Sequence, residues 1–100
     1  MDPKGIDVAS DYDELTVQYE EDGQVLVEQL DKQVLNKGLW TTVLFLYRER
    51  DKKTGEFGPP KAGFRRYQKV GGYFKKRDAI NLSEKTTPDV LAKLKEWFQL

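Results

Sequence analysis

Cysteine and histidine are both absent from this chain of 100 residues. Without cysteine there can be no disulfide and no thiolate metal site. Without histidine the chain lacks the commonest metal ligand and the side chain most often used for proton transfer near neutral pH. The acidic residues cluster in predicted turns and hairpin flanks. We therefore predict that the protein is not an enzyme and uses neither a metal nor a small-molecule cofactor.

Long apolar runs are also missing from the sequence. The longest, residues 43–47, is far too short to span a bilayer. The N-terminal stretch is acidic and has no apolar segment of the kind found in secretory signals. These features predict a cytoplasmic protein with no membrane partner.

The formal net charge of zero hides a strong asymmetry along the chain. Residues 1–36 carry ten acidic against two basic side chains, whereas residues 37–87 carry thirteen basic against five acidic ones. Such a division is typical of a polyanion-binding surface with an acidic arm. It is equally compatible with two segments that neutralise each other within the fold, and charge alone leaves both interpretations open.

The length of the chain predicts one domain. Residues 1–13 show no periodicity and are rich in Asp, Gly and Pro, so we expect a disordered or frayed acidic tail there. A single β-rich domain is then expected over residues 14–100. Apolar alternation predicts its strands, and Gly-containing turns separate them. The predicted strands cover residues 15–19, 25–35 (with a change of phase around Leu30), 39–50, 61–70 and 73–82.

A C-terminal helix is predicted over residues 88–98. Thr87 is a suitable N-cap, Pro88 fits the first helical position, and Asp89 complements the helix dipole. Val90, Leu94, Trp97 and Phe98 belong to one apolar stripe, which we expect to pack in the core or in a dimer contact. Because the strand over residues 39–50 is apolar on both faces, one helix cannot cover it, and we predict a homodimer.

Basic and aromatic residues alternate along the last two predicted strands. The alternation predicts that Arg65, Tyr67 and Lys69 share a face. A hairpin through Gly71 and Gly72 is expected to place them beside Tyr73, Lys75 and Arg77. Aromatic rings that stack on unpaired bases, among cations that follow the phosphates, are typical of single-stranded nucleic-acid binding. An ordinary solvated face of a β-sheet has a similar composition, so this alternative stays open.

Several short motifs resemble those of one protein family. They are Phe64-Arg65-Arg66-Tyr67, the segment from Lys75 to Ser83, and the helix end Leu94-Lys95-Glu96-Trp97-Phe98, with Lys37-Gly38-Leu39-Trp40 upstream. Together they resemble the positive-cofactor-four transcriptional coactivators and their small bacterial relatives, over about residues 24–100. Pattern and resemblance predict an α+β fold. Its curved antiparallel β-sheet, an N-terminal hairpin plus about four strands, is followed by one C-terminal helix.

The resemblance further implies a two-fold dimer through the helices and binding of single-stranded DNA or RNA across the sheet. By motif match, Arg65 and Tyr67 fall on the family's strand, and Lys75, Lys76 and Arg77 fall on its basic ribbon. From charge alone we add four further candidates, Arg48, Arg50, Lys52 and Lys53. The alternative is a protein–protein interaction module that does not bind nucleic acid.

Overall fold

Five antiparallel strands form one sheet, and a single helix follows it, as expected for this α+β fold. The computed structural model describes residues 9–100. The strands follow one another in space in the order in which they occur along the chain, and the sheet curls into a half-barrel. The strands are β1 (Tyr19–Glu21), β2 (Gln24–Asn36), β3 (Trp40–Glu49), β4 (Lys61–Val70) and β5 (Tyr73–Leu82), and the helix is α1 (Thr87–Phe98).

A two-residue turn fixes the register of the hairpin formed by β4 and β5. Gly71 and Gly72 have φ values of 61° and 86°, so both central residues of the β4–β5 turn lie in the left-handed region. Two-residue hairpins with that geometry match the natural twist of the flanking strands, and glycine adopts it without steric cost. Val70 therefore pairs directly with Tyr73. Both strands have the predicted bounds.

Two register shifts interrupt β2 where it pairs with β3. One lies between Gln29 and Asp31 and the other between Val34 and Asn36. The first confirms the predicted change of phase around Leu30. A bulge inserts an extra residue, bends the strand and increases its local twist. These shifts therefore contribute to the curl that turns the sheet into a half-barrel.

The concave inner face of the sheet carries the hydrophobic core. Val43, Phe45, Tyr67 and Phe74 are fully buried there. Residues 9–17, here called the N-terminal strap, cross this face. The side chain of Leu15, a residue of the strap, is buried in the core. The strap begins at the edge strand, where the Phe74 N–H donates to the carbonyl oxygen of Ala9 (2.8 Å).

The ammonium group of Lys32 fastens the other end of the strap to β2. Its Nζ donates to the carbonyl oxygens of Tyr12, Asp13 and Leu15 at 2.8, 3.1 and 2.8 Å. Burial lowers the pKa of Lys32, because removal from water disfavours its charge. Our prediction of a frayed tail is thus wrong for residues 9–13. The rest of that prediction lies outside the described residues.

A short 3₁₀ turn over Tyr12–Glu14 gives the strap its local shape. Asp11 caps this turn, and the Glu14 carboxylate accepts from the backbone N–H of Ser10 and of Asp11. These hydrogen bonds lower the pKa of Glu14. Residues 15–18 follow in an extended path without pairing as a strand, so the first strand begins at Tyr19 and not at residue 15 as predicted. The reason is that Leu15 packs into the core from above the sheet.

The C-terminal helix does not lie on the sheet. It begins at Thr87, one residue before the predicted start, with Thr86 as N-cap, and none of its residues is buried. Of the two roles expected for Trp97 and Phe98, packing in the core of their own chain is therefore wrong, and a dimer contact stays a prediction. An amphipathic stripe shows that a helix needs an apolar surface, but it does not identify that surface. Within residues 9–100, no helix is long and apolar enough to cross a membrane.

Candidate nucleic-acid interface

The β4–β5 hairpin separates the residues that we expected to share a face. Because the turn has two residues, the odd-numbered positions of β4 nearest the turn pair with even-numbered positions of β5: Lys69 with Phe74, and Tyr67 with Lys76. Paired residues in an antiparallel ladder point to the same side. Arg65, Tyr67 and Lys69 therefore lie on the inner face with Lys76. The predicted neighbours Tyr73, Lys75 and Arg77 lie on the outer face, so the expected juxtaposition is wrong.

Tyr67 cannot offer its ring to a base, because its side chain is fully buried. Phe74 packs against it in an edge-to-face arrangement, with ring centroids 6.4 Å apart. Burial raises the pKa of Tyr67 to about 12. Its hydroxyl is a buried side-chain group with no hydrogen-bond partner among the described residues. The residue is therefore part of the core and not of a binding surface.

The inner-face cations are arranged around aromatic rings of the core. The Lys69 ammonium lies 5.2 Å from the centroid of the Phe74 ring. The Arg65 guanidinium lies 5.5 Å from the centroid of the Tyr47 ring and donates to Asn81 Oδ1 (3.0 Å). Arg65 and Lys76 line a cleft of only about 130 Å³. These groups cover the core, and the cleft leaves little room for a polymer.

The outer face presents a different set of side chains at the turn end of the hairpin. Trp40, Gln68 and Lys75 occupy one row across β3, β4 and β5. Since neighbouring strands are about 4.8 Å apart, this row is roughly 10 Å long. Trp40 is 43% exposed. Tyr73 belongs to the next outer-face row towards the β4–β5 turn and is 49% exposed. Two aromatic rings are therefore available on one face.

Cations lie between and beside these two rings. The Arg66 guanidinium is 4.5 Å from the centroid of the Trp40 ring and 2.8 Å from an Asp78 carboxylate oxygen. A register shift between Arg66 and Tyr67 leaves Arg77 as the extra residue of β5, and its Nε donates to Gln68 Oε1 (3.0 Å). We call Trp40, Arg66, Tyr73, Lys75 and Arg77 the outer basic–aromatic patch.

Trp40 and Arg66 were missed as candidates by the sequence reasoning. The signal that could have found them is the parity of the two-residue turn, which places Gln68, and hence Arg66, on the face of Lys75. Trp40 then follows from its pairing with Gln68. The patch carries three cations, and one carboxylate next to it, Asp78, pairs with Arg66, so the net charge of this region is positive.

The four candidates added from charge lie elsewhere and are largely engaged. Arg48 pairs with Glu28, and Arg50 donates to the carbonyl oxygens of Val25 and Gly55. Both guanidinium groups lie 4.3 Å from the centroid of the Phe57 ring, which they enclose. They hold the β3–β4 loop in place. Lys52 and Lys53 are exposed at the tip of that loop.

The acidic β1–β2 hairpin lies at this same end of the sheet. Glu21 and Asp22 share a small cleft with Arg50 and Lys52. Trp40 begins β3 and Arg50 follows its end, so the hairpin and the outer basic–aromatic patch are roughly 30 Å apart along that strand. That distance exceeds the Debye length at physiological salt several-fold. The hairpin therefore neutralises the loop and not the patch.

A second region of the outer face, farther from the β4–β5 turn, is apolar. Its members are Leu44, Leu46, Phe64, Ile80 and Leu82, here called the outer apolar patch. A groove of about 850 Å³ runs along one side of it, between Pro59 and Pro60 of the loop and the start of α1.

Among the described residues, no cluster of acidic side chains could hold a metal ion. No family model, curated protein or solved structure matched this chain.

Proposed function

We propose that this chain is a non-enzymatic, cytoplasmic protein that binds single-stranded DNA or RNA as a coactivator-like accessory factor. One observation carries the proposal: two half-exposed aromatic rings, Trp40 and Tyr73, lie with three cations on a single face of the sheet. Rings of this kind stack on unpaired bases of any sequence, while cations beside them neutralise phosphates. Small-molecule cofactors and membranes have no part in this function.

The geometry also supports a direction for the bound strand. The row from Trp40 through Gln68 to Lys75 crosses the β-strands at right angles, and Arg77 on β5 contacts its middle through the hydrogen bond to Gln68. A nucleic-acid strand that follows this row meets an aromatic ring first and cations next. Arg66 is held against Trp40, so its guanidinium is oriented before binding and loses less freedom on contact.

Fluorescence anisotropy with a labelled single-stranded oligonucleotide tests the proposal. If three cations contact phosphates, the salt slope is about −2, so affinity falls about 20-fold between 50 and 200 mM salt. The Lys75→Glu/Arg77→Glu variant should lose more than tenfold in affinity at the lower salt, and Trp40→Ala should lose roughly 1–3 kcal/mol of stacking. Wild-type protein that fails to bind at low salt would refute the proposal.

A matched control comes from the loop at the other end of the sheet. The Lys52→Glu/Lys53→Glu variant makes the same change in net charge on two exposed residues. Since those residues lie outside the patch, the variant should change affinity only slightly. Equal losses in both variants would mean that binding follows net charge alone and that the patch has no special role.

Protein–protein interaction without nucleic-acid binding is the second candidate. The exposed outer apolar patch and the exposed apolar stripe of α1 favour it. This alternative predicts no salt-dependent affinity for oligonucleotides. The same anisotropy experiment therefore separates the two candidates.

A further inference from the structure

The helix α1 presents an apolar stripe that touches little of its own chain. Val90, Leu91 and Leu94 are exposed along it, and Trp97 and Phe98 are 65% and 66% exposed. Large apolar groups clustered in this way rarely face water in a stable monomer, where contiguous apolar patches seldom exceed a few hundred Å². The stripe is therefore a contact surface that lacks its partner.

The outer apolar patch of the sheet is a second such surface. Ile80 lies within it and is 64% exposed, and Leu46 at its other side is also exposed. Phe64 lies between them on β4, paired with Ile80 on one side and with Leu44 on the other. The patch lies on the convex side of the curled sheet and spans three strands. It has the shape and chemistry that an amphipathic helix needs.

The turn between β5 and α1 keeps the helix off the patch of its own chain. The backbone N–H and the hydroxyl of Thr87 both donate to the carbonyl oxygen of Ser83 (3.0 and 2.5 Å). The Thr86 N–H donates to the Ser83 hydroxyl (3.1 Å). Folding α1 back onto the sheet would break this network. Thr87 and Pro88 instead form one wall of the groove beside the patch.

We propose that two copies of the chain form a two-fold dimer in which each α1 packs on the outer apolar patch of the other copy. Each chain has one apolar helix stripe and one outer apolar patch. A reciprocal exchange therefore covers all four of these surfaces in the dimer. One pair of opposite charges is available to this contact, because Asp31 lies beside Leu46 in the register of β2 and β3 and Lys95 lies beside Leu94 on the helix. This proposal does not depend on nucleic-acid binding.

The contact area is sufficient for a stable dimer. Aromatic side chains bury about 150–250 Å² each, so two-thirds of Trp97 and Phe98 offer roughly 200–300 Å² per helix. With the aliphatic residues of the stripe and the matching area of the sheet, two reciprocal contacts would bury about 1,600–2,000 Å². That value falls in the standard range for specific interfaces.

Sedimentation analysis of surface variants tests the arrangement. Wild-type protein should sediment as a dimer, and both Trp97→Glu and Ile80→Glu should sediment as monomers. Neither residue is buried in the single chain, so both variants should keep the circular dichroism of the folded protein. A monomeric wild type would overturn the proposal. An Ile80→Glu variant that remains dimeric would also overturn it, because the helices would then pack on each other.

Chemical cross-linking supplies a direct readout, since the chain has no cysteine of its own. A Trp97→Cys chain mixed with a longer, tagged Ile80→Cys chain should form a mixed cross-link with a short bis-maleimide. The control partner carries Lys53→Cys at the tip of the β3–β4 loop and should not link. Preferred linkage between two Trp97→Cys chains would contradict the exchange, as would linkage within a single chain that carries both substitutions.

Discussion

Two buried tyrosines of the core should respond in opposite directions when their hydroxyl groups are removed. The Tyr47 hydroxyl donates to Asn81 Oδ1 at 3.0 Å, whereas the Tyr67 hydroxyl has no partner among the described residues. Both side chains are buried. A buried polar group left unpaired costs about 1–3 kcal/mol, and a typical hydrogen bond contributes about 0.5–1.5 kcal/mol. We expect Tyr67→Phe to stabilise the fold by about 1 kcal/mol or more and Tyr47→Phe to destabilise it by about 1 kcal/mol.

The pH dependence of Tyr67→Phe sharpens this prediction. Because burial raises the pKa of Tyr67 to about 12 from its ordinary value of 10.0, the folded state holds the phenolic proton more tightly than the unfolded state. The corresponding stability is fully present below pH 10 and is lost as the pH rises towards 12. The loss is about 1.4 kcal/mol per pH unit, or roughly 2.7 kcal/mol in total. The advantage of Tyr67→Phe over wild type should therefore grow over this interval.

Urea denaturation at neutral pH and at several values above pH 10 measures both effects. Lysines and the other tyrosines also titrate there, so the difference between variant and wild type is the relevant quantity. Tyr47→Phe is the control for loss of a buried hydroxyl in general. If Tyr67→Phe proves less stable than wild type at neutral pH, the hydroxyl is satisfied in solution. If its advantage stays constant above pH 10, the ring is more hydrated than the structure shows.

Two further predictions concern the strap and the acidic hairpin. Lys32→Met removes three charge-assisted hydrogen bonds to the strap while keeping most of the side-chain volume. The free energy of unfolding, measured by urea denaturation, should fall by about 2–3 kcal/mol after allowance for the desolvated charge. A fall below about 0.5 kcal/mol would show that other contacts hold the strap. Neutralising Glu20, Glu21 and Asp22 to Gln, Gln and Asn should leave oligonucleotide affinity within about twofold at physiological salt, because the hairpin is several Debye lengths from the patch. A marked rise in affinity in the anisotropy assay would contradict that placement.

The strands could be predicted from the sequence because their signals are local. Alternation and glycine turns define β4 and β5 to the residue, and the change of phase at Leu30 corresponds to the first β2 bulge. The strap could not be predicted in this way. Residues 9–13 have no periodicity, the alternation from residue 15 onward predicted a strand, and what orders the strap is a lysine from β2, far away in the sequence, together with the buried Leu15.

The candidate site was predicted in composition but not in arrangement. Tyr73, Lys75 and Arg77 remain on one surface, whereas Tyr67 turned out to be a core residue. Alternation alone cannot say which face of a strand is covered when both faces contain apolar residues. The position of α1 relative to the sheet could not be predicted for the same reason. Its stripe was correctly recognised, but nothing local indicates that the turn after Leu82 directs it away from its own sheet.

The strand β5 forms one edge of the sheet, and its unpaired side limits which substitutions can be used to test the outer basic–aromatic patch. Ten residues long, it pairs with β4 on one side, while on the other the strap contributes a single backbone hydrogen bond at Phe74 among the described residues. Long unpaired edges invite pairing between molecules, and charged side chains along them oppose it. Lys75, Lys76 and Arg77 therefore also keep the β5 edges of neighbouring molecules apart by like-charge repulsion. Replacing these cations with alanine would remove this protection and promote aggregation, whereas glutamate would remove the positive charge on which the proposed phosphate binding depends and still keep the edge charged.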